Sequence, residues 1–136
     1  MSPTEVILIV DDDLLVARAL ETVIRHTMEV DAQPMDLRLA STPESALHEL
    51  EELAPDAHPV VISDFNLGSP SYDGMKLLQE VARRWPCARR VLMSGYPLRS
   101  FGGHLEDLDG FLGKPWEIEE IGAMMHGFLG PAPLAA

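Results

Sequence analysis

The sequence EVILIVDDD at positions 5–13 indicates how the chain folds. Its first six residues, Glu5–Val10, form a short and almost continuously apolar run, and three aspartates follow directly. Such a run is typical of a strand that is buried on both faces of a parallel sheet. The aspartates would then lie at the carboxyl end of this strand, where open parallel sheets bind their ligands.

Four more segments fit this interpretation. Residues 59–63 and 89–93 are nearly all apolar and predict two further buried strands, whereas residues 36–40 and Gly110–Gly113 predict weaker or edge strands. Apolar residues recur at helical spacing between the strands, and we expect them to face the core. The first of these stripes comprises Val16, Leu20, Val23 and Thr27, and the last comprises Ile118, Ile121, Met125 and Phe128.

Local signals mark two helix starts and one irregular interval. Thr42 before Pro43 predicts an N-cap, and Asp73 before Gly74 opens another helical pattern. The interval 97–109 contains two adjacent glycines and few apolar residues at helical spacing, so we expect its helix to be short or irregular. The alternation of strands and helices predicts a parallel α/β sheet with helices on both faces.

Composition limits the classes to which the protein can belong. Its 136 residues are 46% hydrophobic, so we expect one domain at 5–129 and a tail or linker at 130–136. The apolar runs are too short to span a membrane, and residues 1–5 lack the basic start of a secretory signal. With Cys87 as its only cysteine, the protein is expected in the cytoplasm. Its formal net charge of −12 argues against direct nucleic-acid binding.

Polar side chains follow four of the five predicted strands. Asp11 and Asp12 follow the first strand, Asp64 the third, Ser94 the fourth and Lys114 the fifth. Because the carboxyl ends of parallel strands share one edge of the sheet, we expect these side chains to converge. Carboxylates that lie close together raise one another's pKa, and Mg²⁺ relieves this repulsion because it prefers oxygen ligands.

The convergence of these groups suits phosphoryl transfer. The carboxylate of Asp64 is a competent nucleophile when a metal and a cation neutralise the incoming oxygens. Lys114 would supply the cation and Ser94 a hydrogen bond, while the backbone carbonyl of Asn66 would add an oxygen ligand for Mg²⁺. The sequence therefore predicts a Mg²⁺-dependent site at which Asp64 accepts a phosphoryl group.

From about residue 6 to residue 128 the chain resembles the receiver domain of two-component response regulators. The matching motifs are ILIVDDD at 7–13, VVISD at 60–64, DG at 73–74, VLMSG at 91–95 and FLGKP at 111–115. The resemblance implies a flavodoxin-like, doubly wound sheet of five strands in the order 2-1-3-4-5, with about five helices. It also implies a phosphorelay, in which a sensor histidine kinase or a histidine phosphotransfer protein donates the phosphoryl group and an output protein reads the altered surface.

The resemblance assigns roles to the matching residues. Asp64 becomes the phospho-acceptor, Asp11, Asp12 and the Asn66 carbonyl bind Mg²⁺ together with it, and Lys114 is the ion-pairing lysine. Ser94 and Phe111 become the switch pair, in which the hydroxyl moves toward the phosphoryl group and the aromatic ring turns inward. The Lys114-Pro115 peptide is then expected to be cis. Tyr96, two residues beyond Ser94, is a candidate to shield the phosphoryl group from water.

Two departures from the family pattern affect the expected partners. The loop after Asp64 is long and has Gly68 where a proline is common, and the interval 97–109 is irregular. The loop indicates unusual partner docking, and because of the irregular fourth helix we expect a monomer or a weak homodimer. In this interpretation the chain is not an enzyme, with at most slow self-dephosphorylation.

Two rival interpretations remain open. A haloacid-dehalogenase-like phosphatase would use Asp11 as nucleophile and Asp13 as acid, although Asp64 would then have no function. A docking module with the receiver fold would never accept phosphate, although the acceptor set is complete.

Overall fold

The computed structural model describes residues 5–30, 35–69 and 71–129, and the predicted tail at 130–136 lies outside them. Five strands are present in the described residues: β1 (Glu5–Val10), β2 (Met35–Ala40), β3 (Val60–Asp64), β4 (Arg89–Ser94) and β5 (Gly110–Gly113). The same residues form four α-helices: α1 (Leu14–Val30), α2 (Pro43–Glu51), α3 (Gly74–Arg84) and α4 (Ile118–Leu129). A 3₁₀ segment, Leu98–Asp107, connects β4 to β5.

The five strands form one parallel sheet in the order β2-β1-β3-β4-β5, as predicted. The register aligns the carboxyl ends of the strands, because Val10 pairs with Ser63 and Ser94 pairs with Gly113. β2 and β5 are the edge strands, which agrees with their weaker apolar patterns. Side chains that follow β1, β3, β4 and β5 are therefore delivered to one edge.

Each face of the sheet is covered by its own pair of helices. In β1, Ile7 and Ile9 belong to the cluster with α1 and α4, whereas Leu8 and Val10 belong to the cluster with α2 and α3. All four side chains are at most 1% exposed. Each such burial contributes about 1.5–3 kcal/mol, so β1 is held firmly from both faces.

The predicted helical stripes were partly wrong. Among the described side chains of α1, Ala17, Leu20, Ile24 and Met28 are fully buried, whereas Val16, Val23 and Thr27 are partly buried. Of these three, Val23 packs against the core cluster as predicted. Because aliphatic residues stand next to one another along this helix, a rotation by one position gives an equally apolar stripe, and packing on the sheet selects between them. In α4, Ile118 is 60% exposed although the predicted stripe included it.

The predicted helix starts are confirmed. Thr42 caps α2 through a reciprocal arrangement with Ser45, and the side chain of Asp73 accepts the Lys76 N–H at 2.9 Å. The predicted fourth helix is the 3₁₀ segment, in which Gly102 adopts φ 57° and interrupts the helix. Among the described residues, no helix combines the length and apolarity needed to cross a bilayer.

Candidate functional site

Three carboxylates converge at the carboxyl edge of the sheet. Asp11 is 0% exposed and Asp64 is 6% exposed, whereas Asp12 is open to solvent. Each of the three offers an oxygen atom, and these atoms all lie within 4.8 Å of one another. The backbone fixes the two buried carboxylates, because the Asp11 N–H donates to the Ala40 carbonyl and the Phe65 N–H to the Met93 carbonyl. The predicted acidic site is therefore present in the fold.

Lys114 faces the acidic cluster from β5. Its Nζ lies 3.0 Å from Asp64 Oδ1 and 3.4 Å from Asp11 Oδ2. The Lys114 N–H donates to the Ser94 carbonyl at 2.8 Å and continues the pairing of β5 with β4. The Lys114-Pro115 peptide is cis, as expected. The single cation of the site thus bridges the two buried carboxylates.

Burial and charge perturb the titration of these three groups. Burial raises the pKa of Asp11 and of Asp64, and it outweighs the lowering by hydrogen bonds and by Lys114. Burial opposes the charge of Lys114, but hydrogen bonding and attraction from Asp64 and Asp11 outweigh burial and raise the pKa of the lysine. The site therefore holds more negative charge than its one cation compensates, which suits the binding of a divalent cation.

Asp13 does not join the cluster. Its Oδ1 accepts the Leu15 N–H at 3.0 Å and caps α1, and its own N–H donates to Asp11 Oδ1 at 2.9 Å. The phosphatase interpretation needs Asp13 as an acid beside the nucleophile, and the structure gives it a capping position on the exposed side instead.

The loop after Asp64 passes close to Asp12. Gly68 has φ 78°, and a Cβ at this position would lie 3.4 Å from Asp12 Oδ2. Asn66, whose carbonyl is the predicted fourth ligand, is exposed in the same loop. The loop is therefore near enough to the cluster to contribute backbone oxygens to a metal site.

Gly74 is required by a close approach of α3 to the end of β3. A Cβ on Gly74 would lie 2.0 Å from the backbone oxygen of Asp64, far inside van der Waals contact. The Gly74 N–H donates to the Phe65 carbonyl at 2.7 Å. Glycine at this position lets the first turn of α3 pack directly on the end of β3.

The predicted switch residues lie on the adjacent strands. Ser94 is 2% exposed, and its Oγ accepts the Tyr96 N–H at 2.8 Å. Phe111 is half-buried and packs against the cluster between the sheet and the helices α2 and α3. Its ring centroid lies 6.2 Å from that of Phe101, a residue that the sequence did not single out.

An apolar surface beside the site was also missed. Leu15 is 81% exposed, Ile118 60% and Leu14 49%. A groove of about 390 Å³ runs between α1 and the end of β5, and its lining residues are Leu15, Val16, Ala19, Lys114, Pro115 and Trp116. The signal in the sequence was the pair Leu14-Leu15, which follows the aspartates but falls outside the helical stripe.

A larger cavity lies far from this chemistry. It measures about 620 Å³ and opens at the amino ends of the strands, where its lining includes Val6, Val60, Arg89 and Phe128. It contains none of the predicted site residues. The carboxyl edge, and not this larger cavity, is thus the candidate functional site.

Comparisons with solved structures agree with this fold. The chain is similar to the signal receiver domain of an HD domain-containing protein from Pseudomonas fluorescens Pf-5, with a TM-score of 0.75 and 23% identity, covering 93% of this chain and 88% of that chain. It is similar to a response regulator from Chloroflexus aurantiacus J-10-fl, with a TM-score of 0.74 and 26% identity, covering 95% of this chain and 100% of that chain.

A third similar structure contains bound Mg²⁺-BeF. This is the response regulator TrrA from Thermotoga maritima in complex with Mg²⁺-BeF, with a TM-score of 0.71 and 19% identity, covering 93% of this chain and 100% of that chain. No curated protein matches the chain. The family model of the response regulator receiver domain matches residues 7–126. The chain therefore belongs to the response regulator receiver domain family, whose members act in two-component signal transduction.

Proposed function

We propose that Asp64 is the residue of this receiver domain that accepts the phosphoryl group. The observation that carries the proposal is the ion pair of 3.0 Å between Lys114 Nζ and Asp64 Oδ1, next to two further carboxylates within 4.8 Å. Asp64 is 6% exposed, so the acceptor is largely buried but still reaches the surface of the pocket. The pocket holds this nucleophile in place before the donor arrives.

The transfer needs positioning and charge neutralisation more than covalent chemistry. The bond between phosphorus and the donor imidazole nitrogen breaks, its electron pair stays on the nitrogen, and an Asp64 oxygen forms the new bond to phosphorus. The ammonium of Lys114 lies where it can stabilise negative charge on the transferred oxygens. The Ser94 hydroxyl, on the neighbouring strand, is the candidate to donate a hydrogen bond to the product.

The donor set fits Mg²⁺. Asp11, Asp12, Asp64 and the carbonyl of Asn66 are the candidate ligands, and all of them offer oxygen. The complex of the similar TrrA structure with Mg²⁺-BeF supports this assignment. When bound, Mg²⁺ would neutralise charge on the transferred oxygens. Because Asp12 is exposed whereas Asp11 is fully buried, Asp12 is proposed as the direct ligand, and Asp11 supports the site from behind.

Phosphorylation would then shift a population between two arrangements of the surface. The Ser94 hydroxyl would gain the phosphoryl oxygens as an acceptor only when Asp64 is phosphorylated, and such a differential contact is what a conformational shift requires. Phe111 is half-buried and therefore has room to change its packing. We place the output surface of the domain around Phe111 on β5.

Receiver domains interact with histidine kinases or histidine phosphotransfer proteins. For this chain we propose that the donor presents a helix to the apolar surface of Leu14, Leu15, Trp116 and Ile118. The surface borders Lys114, and exposed acidic residues flank it at Asp12, Asp13, Glu117, Glu119 and Glu120. An amphipathic donor helix with basic flanks fits both features. The single unpaired cysteine, Cys87, favours a reducing compartment, and we place the exchange in the cytoplasm.

One labelling experiment tests the acceptor. The wild-type protein is incubated with Mg²⁺ and acetyl phosphate, and intact mass is expected to rise by one phosphoryl group. Asp64→Asn should abolish this gain, whereas Asp13→Asn, which retains a good capping side chain, should keep it. Retention of the label in Asp64→Asn, together with turnover of phosphate esters, would instead support the phosphatase interpretation.

A second experiment tests the donor surface. Leu15→Asp should slow transfer from any phosphorylated histidine kinase that labels the wild-type protein, because it places a charge in the apolar contact. Labelling by acetyl phosphate should be unchanged, since this small donor needs no docking surface. Leu98→Asp, a matched change of an exposed leucine on the 3₁₀ segment, serves as the control. Equal transfer to both variants would contradict the proposed surface.

A further inference from the structure

An aromatic row connects the acceptor strand to the switch strand. It consists of Tyr96, Phe65, Phe101 and Phe111. The Phe65 and Phe101 centroids are 4.9 Å apart with an interplanar angle of 61°, and the Phe101 and Phe111 centroids are 6.2 Å apart at 52°. Tyr96 meets Phe65 edge-on at 6.3 Å and 88°. Such edge and tilted geometries are favourable for aromatic pairs.

Two neighbouring members of the aromatic row, Phe65 and Tyr96, adjoin the chemistry. Phe65 follows Asp64 directly in the chain, so its backbone moves with the acceptor. At the other side, the Tyr96 N–H donates to Ser94 Oγ at 2.8 Å. If the Ser94 hydroxyl rotates toward a phosphoryl group on Asp64, its oxygen leaves the position that now accepts this N–H, because side chains occupy discrete rotamers. A change at Ser94 therefore reaches Tyr96 and then Phe65.

Phe101 is the member that the 3₁₀ segment contributes. Among the side chains of this segment that the structure describes, Phe101 is partly buried, whereas Leu98, Arg99 and Ser100 are exposed. Gly102, at φ 57°, turns the backbone immediately after the ring. At its far end the connection is held by Asp109, whose N–H donates to the Arg90 carbonyl and whose Oδ2 accepts the Arg90 N–H, each at 2.8 Å.

We propose that Phe101 is a positioning residue that couples the acceptor strand to Phe111. Its ring contacts the ring beside Asp64 on one side and the ring of the switch strand on the other. Phe65 and Phe111 thus communicate through a ring that neither β3 nor β5 supplies. The position of the 3₁₀ segment becomes part of the switch, and a partner that binds this segment changes the state of Phe111.

The inference rests on the proposed function, because it needs a phosphoryl group on Asp64. The test compares hydrogen exchange of the backbone with and without Mg²⁺ and acetyl phosphate, with intact mass recorded for every sample. In the wild-type protein, phosphorylation should change exchange at 110–113 and at 97–102 together. In Phe101→Ala the label on Asp64 should persist, and the change at 110–113 should shrink roughly two- to ten-fold, the range that loss of one aromatic pair gives.

Two further variants show whether the coupling needs an aromatic ring at position 101 or only an apolar side chain. Phe101→Tyr keeps the ring and should behave as the wild type, whereas Phe101→Leu keeps apolar volume without a ring and should resemble Phe101→Ala. Leu98→Ala, in the same segment and 39% exposed, is the control and should change nothing. If Phe101→Leu responds fully, or if Phe101→Ala shows the wild-type change at 110–113, the inference is overturned while the proposed function stands. A wild-type protein that takes no label on Asp64 overturns both.

Discussion

Two parts of the carboxyl edge of the sheet are built in different ways. We call the ends of β1 and β3 the acceptor half and the connection from β4 to β5 the reporting half. Asp11 and Asp64 belong to the ends of β1 and β3, where residues 7–11 and 60–64 are all buried. The connection from β4 to β5 instead exposes residues 95–100, and the structure gives it one kinked 3₁₀ segment where a short or irregular helix was expected. Regions with few buried contacts open at low free-energy cost, whereas central strands open only on global unfolding.

The difference follows from what each half must do. A nucleophile and its cation must stay within hydrogen-bonding distance before the donor arrives, so a rigid setting benefits the transfer. A reporting surface must change its structure for the small differential free energy of a few contacts, so a loosely held segment benefits the signal. Each of the following substitutions tests whether the acceptor half is more rigidly held than the reporting half.

Gly74→Ala should have the largest effect. Its Cβ would lie 2.0 Å from the Asp64 backbone oxygen, so α3 must move away from the acceptor strand. We expect a loss of roughly 2–4 kcal/mol in the free energy of unfolding, measured in urea. Gly95→Ala is the matched control at the loose half, because nothing lies within 4 Å of the added atom. Equal losses in the two variants would contradict the contrast.

Lys114→Met should destabilise the protein by about 1–3 kcal/mol, since it leaves two buried carboxylates without their cation. The raised pKa of Lys114 gives the sign of the pH dependence. Its contribution is fully present below the lysine pKa of the unfolded chain, about 10.4, and is lost as pH rises through the higher folded pKa. Lys76→Met, on an exposed lysine of α3, should change stability by less than about 0.5 kcal/mol.

Asp11→Asn should stabilise the protein by about 1 kcal/mol in Mg²⁺-free buffer at neutral pH. Because the folded pKa of Asp11 is raised, its ionisation costs stability as pH rises above the unfolded value of about 3.9. The gain in stability should therefore disappear in acid. Thermal unfolding of both proteins at neutral pH and in acid measures this difference. Asp13→Asn should be close to neutral because asparagine also caps α1. A destabilised Asp11→Asn variant would show that the site is not strained by its charge.

Tyr96→Ala should have the smallest effect on stability, less than about 0.5 kcal/mol, because the ring is 56% exposed. We expect the phosphoryl group on Asp64 to be lost about two- to five-fold faster, since the ring helps to exclude water from that side. Decay of the phosphorylated mass after removal of acetyl phosphate provides the measurement. Tyr96→Phe should keep the wild-type lifetime, and an Ala variant that decays no faster would count against shielding.

Much of the fold could be predicted because strand and turn signals are local. The apolar run at Glu5–Val10 and the caps at Thr42 and Asp73 carry their own physical reasons, and the structure places all three as expected. The convergence of Asp11, Asp64 and Lys114 followed from topology, since parallel strands end at one edge.

What could not be predicted depends on contacts between distant segments. The buried stripe of α1 was displaced by one residue because Ala17 and Val16 satisfy the same periodicity, and only packing distinguishes them. Ile118 was expected in the core, yet it is the first residue of α4 and is 60% exposed. No pattern in the sequence singled out Phe101, because its role depends on ring contacts with Phe65 and Phe111, which belong to other segments of the chain.

The paired hydrogen bonds between Asp109 and Arg90 have an evolutionary consequence. These hydrogen bonds lie outside the stretch from Gly102 to Asp107, and they fix the point at which β5 begins. The position of Lys114 beside Asp64 therefore does not depend on the sequence of that stretch. We expect insertions and substitutions in that stretch to leave the phosphate chemistry intact, because the hydrogen bonds that position β5 lie outside it. Descendants of this protein can thus acquire new recognition sequences in this stretch without changes to the phosphorylation site.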